Sequence, residues 1–117
     1  MITTNDSRIR VYNGYNMQCK YKGLQNGKFQ IKASFSDDGN FIICGSEDKS
    51  VYMWSTINSY VPLLSPIGKG YQRDHSSSYE YFNAQEDTVT VAIFAPRKYR
   101  SANTFALNFF FCKFIYK

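Results

Sequence analysis

Residues 35–55 read FSDDGNFIICGSEDKSVYMWS, and this stretch decides the fold. Together with the residues just before it, the stretch predicts three β-strands, at 30–35, 41–45 and 50–54. The middle strand is a short apolar run, which is typical of a strand buried on both faces. The third strand alternates aliphatic and aromatic side chains, so each kind faces one side of the sheet. Three short strands with no helical period favour an all-β fold.

Two tight turns separate the three strands. The first is Asp37-Asp38-Gly39, in which Gly39 supplies a positive φ that other residues resist. The second turn covers residues 46–49, with the sequence Ser-Glu-Asp-Lys. Because short turns join neighbouring antiparallel strands, the stretch predicts an antiparallel sheet.

The end of this pattern occurs a second time at the N-terminus. Residues 4–12 align with the second turn and the third strand at an offset of 42 residues. The alignment places Asp6 on Asp48 in the turn and Tyr12 on Trp54 at the end of the strand. A repeat of this length is typical of a β-propeller, in which each blade is a four-stranded antiparallel sheet.

A third partial copy starts near residue 89, because residues 89–96 match the first strand at an offset of 59 residues. The excess of 17 residues over 42 predicts an insertion at about 58–85, which is rich in Ser, Tyr, Gly and Pro. We interpret the insertion as a long exposed loop with one strand near 60–64. Residues 17–21 are predicted to form the outer strand that links the first two blades.

We therefore expect residues 1–96 to form a partial propeller of roughly two to three blades. The strand pattern already runs at the first residues, which predicts a truncation at the N-terminus. Residues 97–117 fit no blade and are interpreted as a divergent basic and aromatic tail.

The charge is unevenly distributed along the chain. Residues 1–96 hold nine basic and nine acidic residues, so the net charge of +5 lies in the tail. A nucleic-acid footprint needs basic residues clustered on a folded surface, so we expect no nucleic-acid partner. A nucleic-acid-binding module anchored by the basic tail stays open as an alternative.

The cysteines Cys19, Cys44 and Cys112 are odd in number and form no C-x-x-C pair. They predict buried, reduced thiols and neither a disulfide framework nor a zinc site. There is no signal-peptide pattern, and the apolar tail is too short to span a membrane, so we expect a cytoplasmic protein without a transmembrane segment. The pattern indicates no cofactor.

The stretch at 35–55 resembles the WD-repeat signature, in which some ten positions agree in type and order. Over about residues 1–97 the chain also resembles the WD repeat-containing protein forty-four family. The segments that carry this likeness are 4–12, 19–23, 30–36, 45–49 and 92–96.

The resemblance implies a protein-binding scaffold. Proteins of that family bind a Rab GTPase of recycling endosomes, so it also implies a partner in a Rab GTPase pathway, vesicle traffic and an endosome-associated location. The GTPase-binding region of the family lies largely before the propeller, outside the part that this chain resembles. The chain departs from the WD-repeat pattern at Ser55, which replaces the Asp of the Trp-Asp pair, and after Gly23, where Leu24 replaces a His.

Four residues at the repeated positions are predicted to be structural. Asp6 and Asp48 are expected to fix their turns by accepting hydrogen bonds from turn amides and a neighbouring side chain. Tyr12 and Trp54 are expected to pack between adjacent blades with the polar tip hydrogen-bonded. Since the usual His is missing, we expect an incomplete hydrogen-bond network that weakens the blade.

Partner contacts are predicted at Arg8, Lys28 and Lys49, which lie on or near the turns of one propeller face. A Ser-His-Asp triad within residues 73–78, around His75, is rejected because neighbours on a flexible loop cannot hold triad geometry. No phosphate-binding glycine loop or metal cluster is present, so we expect no enzyme activity.

The first functional hypothesis is therefore a scaffold that binds other proteins. A truncated product without independent activity is a further alternative. A piece of a propeller leaves sheet faces uncovered, and such faces drive association. We therefore expect the isolated chain to self-associate.

Overall fold

The computed structural model of the protein describes residues 1–57, 74–75 and 79–95, and at 74–75 it describes the backbone alone. These residues form eight β-strands: β1 (Ile2–Thr4), β2 (Arg8–Asn13), β3 (Asn16–Tyr21), β4 (Ala33–Phe35), β5 (Phe41–Gly45), β6 (Ser50–Ser55), β7 (Asp74–His75) and β8 (Tyr79–Asn83). The all-β prediction is confirmed. In this part of the chain no helix has the length and apolar character needed to cross a membrane.

The strands form two sheets, in the orders β1-β2-β3-β7 and β4-β5-β6-β8. All neighbours in the second sheet are antiparallel, as the prediction of four-stranded antiparallel blades requires. In the first sheet β1, β2 and β3 are antiparallel, whereas β7 joins β3 in parallel through the pairs Lys20↔Asp74 and Tyr21↔His75.

The core lies on both faces of the second sheet, since the side chains of β5 and β6 alternate between them. One face packs against the first sheet in a cluster made of Ile9, Cys19, Tyr21, Leu24, Ile31, Ile42, Cys44, Tyr52 and Trp54. The other face packs against the segment that follows β8, in a cluster made of Ile43, Val51, Met53, Val89, Ala92 and Phe94. A sheet covered on both faces by neighbouring repeats is the packing of a propeller blade.

The segment at 89–95 lies where the third blade was predicted to begin. It makes a single parallel bridge, Lys32↔Val91, rather than a strand, and the N–H of Lys32 donates to the carbonyl of Thr90 at 3.1 Å. The backbone also passes so close to Gly45 that a Cβ there would lie 2.0 Å from the Val89 carbonyl oxygen. Side-chain packing and isolated backbone hydrogen bonds, rather than a continuous ladder, hold this segment against the second blade.

One strand is shorter than the sequence predicted, and one strand was not predicted. The first predicted strand, 30–35, is shortened to β4, because the backbone before Ala33 bonds to the neighbouring segment instead. The outer strand of the second blade is β8, which lies inside the range of the predicted insertion, 58–85. The strand predicted near 60–64 and the tail at 97–117 lie outside the described residues.

Candidate functional site

Two hairpin turns and one loop form a surface that we call the turn face: the turns at 5–7 and 46–49, and the loop at 22–30 between β3 and β4. The turns occupy equivalent places in successive sheets, between β1 and β2 and between β5 and β6. Each contains a non-glycine residue with positive φ, Ser7 at 60° and Lys49 at 71°. This conformation is unfavourable for L-residues, so the surrounding contacts must hold both turns in place.

The loop is hydrogen-bonded to the turns of both blades. Towards the first blade, Asn26 accepts from the Ser7 N–H at 3.2 Å, and its own N–H donates to the Ser7 hydroxyl at 2.9 Å. Towards the second blade, the Gln25 N–H donates to the Ser46 hydroxyl at 2.8 Å, and its carbonyl accepts from the Glu47 N–H at 2.9 Å. Asn26 and Ser46 are buried. The loop therefore ties two blades together through main-chain bonds.

The carboxylate of Glu47 anchors the tip of the same loop. Its Oε1 atom accepts three consecutive backbone N–H groups, from Gly27 at 2.8 Å, Lys28 at 2.6 Å and Phe29 at 2.9 Å. Consecutive N–H groups that converge on one oxygen form a nest for an anion. These bonds, led by that of Lys28, lower the pKa of Glu47 below its usual value. The loop tip is fixed by a charge from the neighbouring turn.

Asp6 sits in an ionic cluster in the first turn. Its carboxylate accepts from Arg8 Nη1 at 2.9 Å and from Arg10 Nη2 at 2.5 Å, and also from the Thr4 hydroxyl. The hydrogen bond from Arg10 is the main cause of a strongly lowered pKa at Asp6, and the pKa of Arg10 is raised in return. The prediction named turn amides and a neighbouring side chain as partners, and the partners described for Asp6 are side chains.

Asp48 has a different set of partners in the second turn. Its Oδ2 accepts from the Tyr52 hydroxyl at 2.6 Å, and its Oδ1 accepts from the Ser50 N–H at 3.1 Å. Burial, followed by this bond to Asp48, raises the pKa of Tyr52, so the phenol stays protonated. The side-chain donor to Asp48 is therefore a tyrosine of the adjoining strand, a partner that the sequence did not reveal.

Trp54 is buried in the cluster between the two sheets and is 1 % exposed. Its indole N–H donates to the carbonyl of Lys22 at 3.0 Å, and its ring stacks on Tyr52 with centroids 6.0 Å apart. The Trp54 side chain therefore joins β6 to the start of the loop that crosses the turn face.

Tyr12 was predicted to pack between blades like Trp54, and in this chain its side chain is 38 % exposed. The pairing of β2 with β3 shifts register between Val11 and Tyr12. The extra residue of this bulge, Gln18, lies in β3, so the alternation of side chains along β2 continues. Val11 packs against the cluster between the two sheets, and Tyr12 therefore faces the other side of the first sheet.

The three residues predicted to contact partners lie at the turn face, but their side chains differ in exposure to solvent. Arg8 is half-buried and bonded to Asp6, whereas Lys28 and Lys49 are exposed. Between the two lysines in sequence, Phe29 is 49 % exposed, which the sequence did not single out. The fixed backbone therefore presents one aromatic and two cationic side chains to solvent.

The described residues hold no group of three or more potential metal ligands, and burial raises the pKa of the Cys44 thiol to about 12. Cys19 is also buried and free, while Cys112 is outside the described residues. The backbone of Asp74 and His75 forms β7 rather than a loop, and the serines at 76–78 are outside the described part.

Three residues that build the turn face were missed by the sequence reasoning: Asn26, Ser46 and Glu47. The alignment with the first turn places Thr4 and Asn5 opposite Ser46 and Glu47, so polar character was the only available signal. The carboxylate of Glu47 reaches three amides of the loop because of how the blades pack. No local sequence pattern encodes this packing.

Comparisons with known proteins identify several relatives. WD repeat-containing protein 44 of Xenopus laevis is 45% identical over 98 residues, which cover 82% of this chain and 10% of that protein. Denticleless protein homolog B of Xenopus laevis is 47% identical over 47 residues, 40% of this chain and 6% of that protein. Protein lethal(2)denticleless of Drosophila melanogaster is 40% identical over 48 residues, 41% of this chain.

The chain therefore spans about a tenth or less of the length of these relatives. No protein-family model matches it, and no solved structure matches it significantly. The two four-stranded sheets of this chain are consistent with the WD repeats named in WD repeat-containing protein 44.

Proposed function

The chain belongs to the WD-repeat proteins, and on that premise we propose that it is a non-enzymatic scaffold whose turn face binds other proteins. Binding residues are commonly carried on loops that a rigid scaffold positions. The turn face has this form, because its loop is bonded to the turns of two blades.

One observation carries the proposal. The backbone at Gly27, Lys28 and Phe29 is fixed by three hydrogen bonds to Glu47, while the side chains of Lys28 and Phe29 are exposed. A backbone that is already fixed avoids the entropy cost of ordering the loop on binding, which favours affinity. Aromatic residues are also common among the residues that dominate binding energy.

The likeness to WD repeat-containing protein 44 supports a finer proposal, in which the scaffold acts in Rab GTPase-dependent vesicle traffic on endosomes, from the cytoplasmic side. The isolated chain self-associates in this proposal, because a partial ring leaves sheet faces uncovered. A monodisperse monomer at micromolar concentration in sedimentation velocity would contradict the second point.

Proximity labelling in cells tests the turn face. The chain is fused to a biotin ligase and compared with a Lys28→Ser/Phe29→Ser double variant. The matched control is Tyr15→Ser, which alters a fully exposed side chain at the opposite end of β2. Trp54 fluorescence confirms that each variant is folded.

We expect recycling-endosome proteins to be labelled by the wild type and by Tyr15→Ser, and to be lost in the double variant. Equal labelling by all three proteins would refute the role of the turn face. Salt-dependent binding of labelled RNA that disappears on deletion of residues 97–117 would favour the nucleic-acid alternative.

A further inference from the structure

The chain contains two Asn-Gly pairs, Asn13-Gly14 and Asn26-Gly27. In the fold the asparagine of the first pair is exposed and that of the second is buried. In such a pair the backbone nitrogen of glycine, after losing its proton, can attack the side-chain amide carbon of asparagine. Ammonia leaves and a cyclic succinimide forms, which water opens to aspartate or isoaspartate. Glycine permits this step because it has no Cβ to obstruct the approach.

Asn13-Gly14 lies at the tip of the β2–β3 hairpin. Both residues are exposed, and no atom lies within 4 Å of the position that a Cβ of Gly14 would take. Asn13 forms the terminal pair of the ladder with Asn16, close to the register shift between Val11 and Tyr12. Terminal pairs open at little free-energy cost, so the Asn13 backbone can leave the strand conformation and allow the attack.

Asn26-Gly27 is held at three points. Asn26 is 2 % exposed, and its side-chain nitrogen donates to the Thr4 carbonyl at 3.3 Å. Its backbone N–H is bonded to the Ser7 hydroxyl. The N–H of Gly27, whose nitrogen would have to attack, donates to Glu47 at 2.8 Å. Reaction at this pair requires the loop to detach from both blades.

We propose that Asn13 is a site of spontaneous deamidation and that the inter-blade loop protects Asn26. The product carries a new negative charge at the hairpin tip, beside the fully exposed ring of Tyr15. In the isoaspartate form the backbone gains a methylene group, which breaks the pairing of Asn13 with Asn16. The reaction at Asn13 is independent of the protein-binding role of the turn face, which lies at the other end of β2.

Mass spectrometry of the full chain aged at neutral to mildly alkaline pH tests this proposal. In heavy-oxygen water each event replaces the amide NH2 by a labelled oxygen, which excludes artefacts of later handling. Trypsin separates the two sites, since cleavage gives peptides 11–20 and 23–28. Fragment spectra distinguish Asn13 from Asn16 within the first peptide.

We expect Asn13 to react at least about thirtyfold faster than Asn26 in the native protein, because two or more hydrogen bonds must break at Asn26. In concentrated denaturant the two rates converge, and in the Asn13→Gln control position 13 stays unlabelled, since glutamine must close a larger ring. Equal native rates at the two sites, with both sites reacting in denaturant, overturn the proposal.

Discussion

Replacing Gly45 by alanine tests the packing between the second blade and the segment that follows it. A Cβ at Gly45 would lie 2.0 Å from the Val89 carbonyl oxygen and 2.8 Å from Val89 Cγ1. Gly45 is paired with Val51 inside the sheet, so the blade cannot easily retreat. The segment around Val89 must move away instead. The Val89 N–H then loses its hydrogen bond to the Ser46 carbonyl, which is 3.0 Å long in the wild-type protein.

The cost follows from these two losses. The hydrogen bond contributes about 1 kcal/mol to stability. Val89 is 1 % exposed, and exposing a buried valine side chain costs about 2 kcal/mol. We therefore expect Gly45→Ala to lower the free energy of unfolding by about 3 kcal/mol, within the usual range for overpacking a core.

Urea unfolding followed by the fluorescence of Trp54, the single tryptophan, measures this change. With a slope of about 1–3 kcal/mol per M, the midpoint should fall by about 1–3 M. The matched control is Gly27→Ala, because nothing lies within 4 Å of a Cβ at that position. Equal midpoints for the two variants would refute the close packing at Gly45.

Three further changes test the turn face. Lys49→Gly should be about 1 kcal/mol more stable than Lys49→Ala in the same urea assay, because Lys49 has a φ of 71° that glycine adopts freely. Ser46→Ala should cost about 2 kcal/mol of unfolding free energy, since the buried hydroxyl that serves Gln25 is removed. The lowered pKa values of Glu47 and Asp6 mean that both stabilise the fold above their unfolded pKa values, 4.5 and 3.8, and lose this contribution as pH falls towards the folded values. Unfolding measured from pH 6 to pH 3 should therefore show falling stability, and Glu47→Gln should flatten the profile.

Much of the fold follows from local patterns in the sequence. The apolar run of β5 and the alternation of β6 place each strand, and the Asp-Asp-Gly turn between β4 and β5 has Gly39 at a φ of 71°. The strand β8 was not recognised, because Tyr79–Asn83 follows a serine-rich stretch and lacks a turn signal before it. Its position is set by pairing with β6 and by contacts of Tyr79 and Tyr81 with Tyr52.

The site is less predictable than the fold, because its bonds join residues far apart in sequence. The repeat located both turns and the buried Trp54, but it could not reveal that Tyr12 is exposed on the first sheet. Nor could it reveal that Arg8 is occupied by Asp6 while Lys28 is left exposed. These outcomes depend on register and on the spacing between blades, and neither is encoded within a single repeat.

The loop between the blades explains how the turn face is ordered without the histidine of the WD pattern. Consecutive residues of an extended segment point to opposite sides, and here Gln25 bonds to the second blade while Asn26 bonds to the first. The next three N–H groups converge on Glu47 of the second turn. Most of these bonds use main-chain atoms of the loop, so they depend on its path and length more than on its side chains. The loop is therefore held by the backbone N–H groups of Lys28 and Phe29, and their side chains stay exposed to solvent. A partner-binding surface requires such side chains.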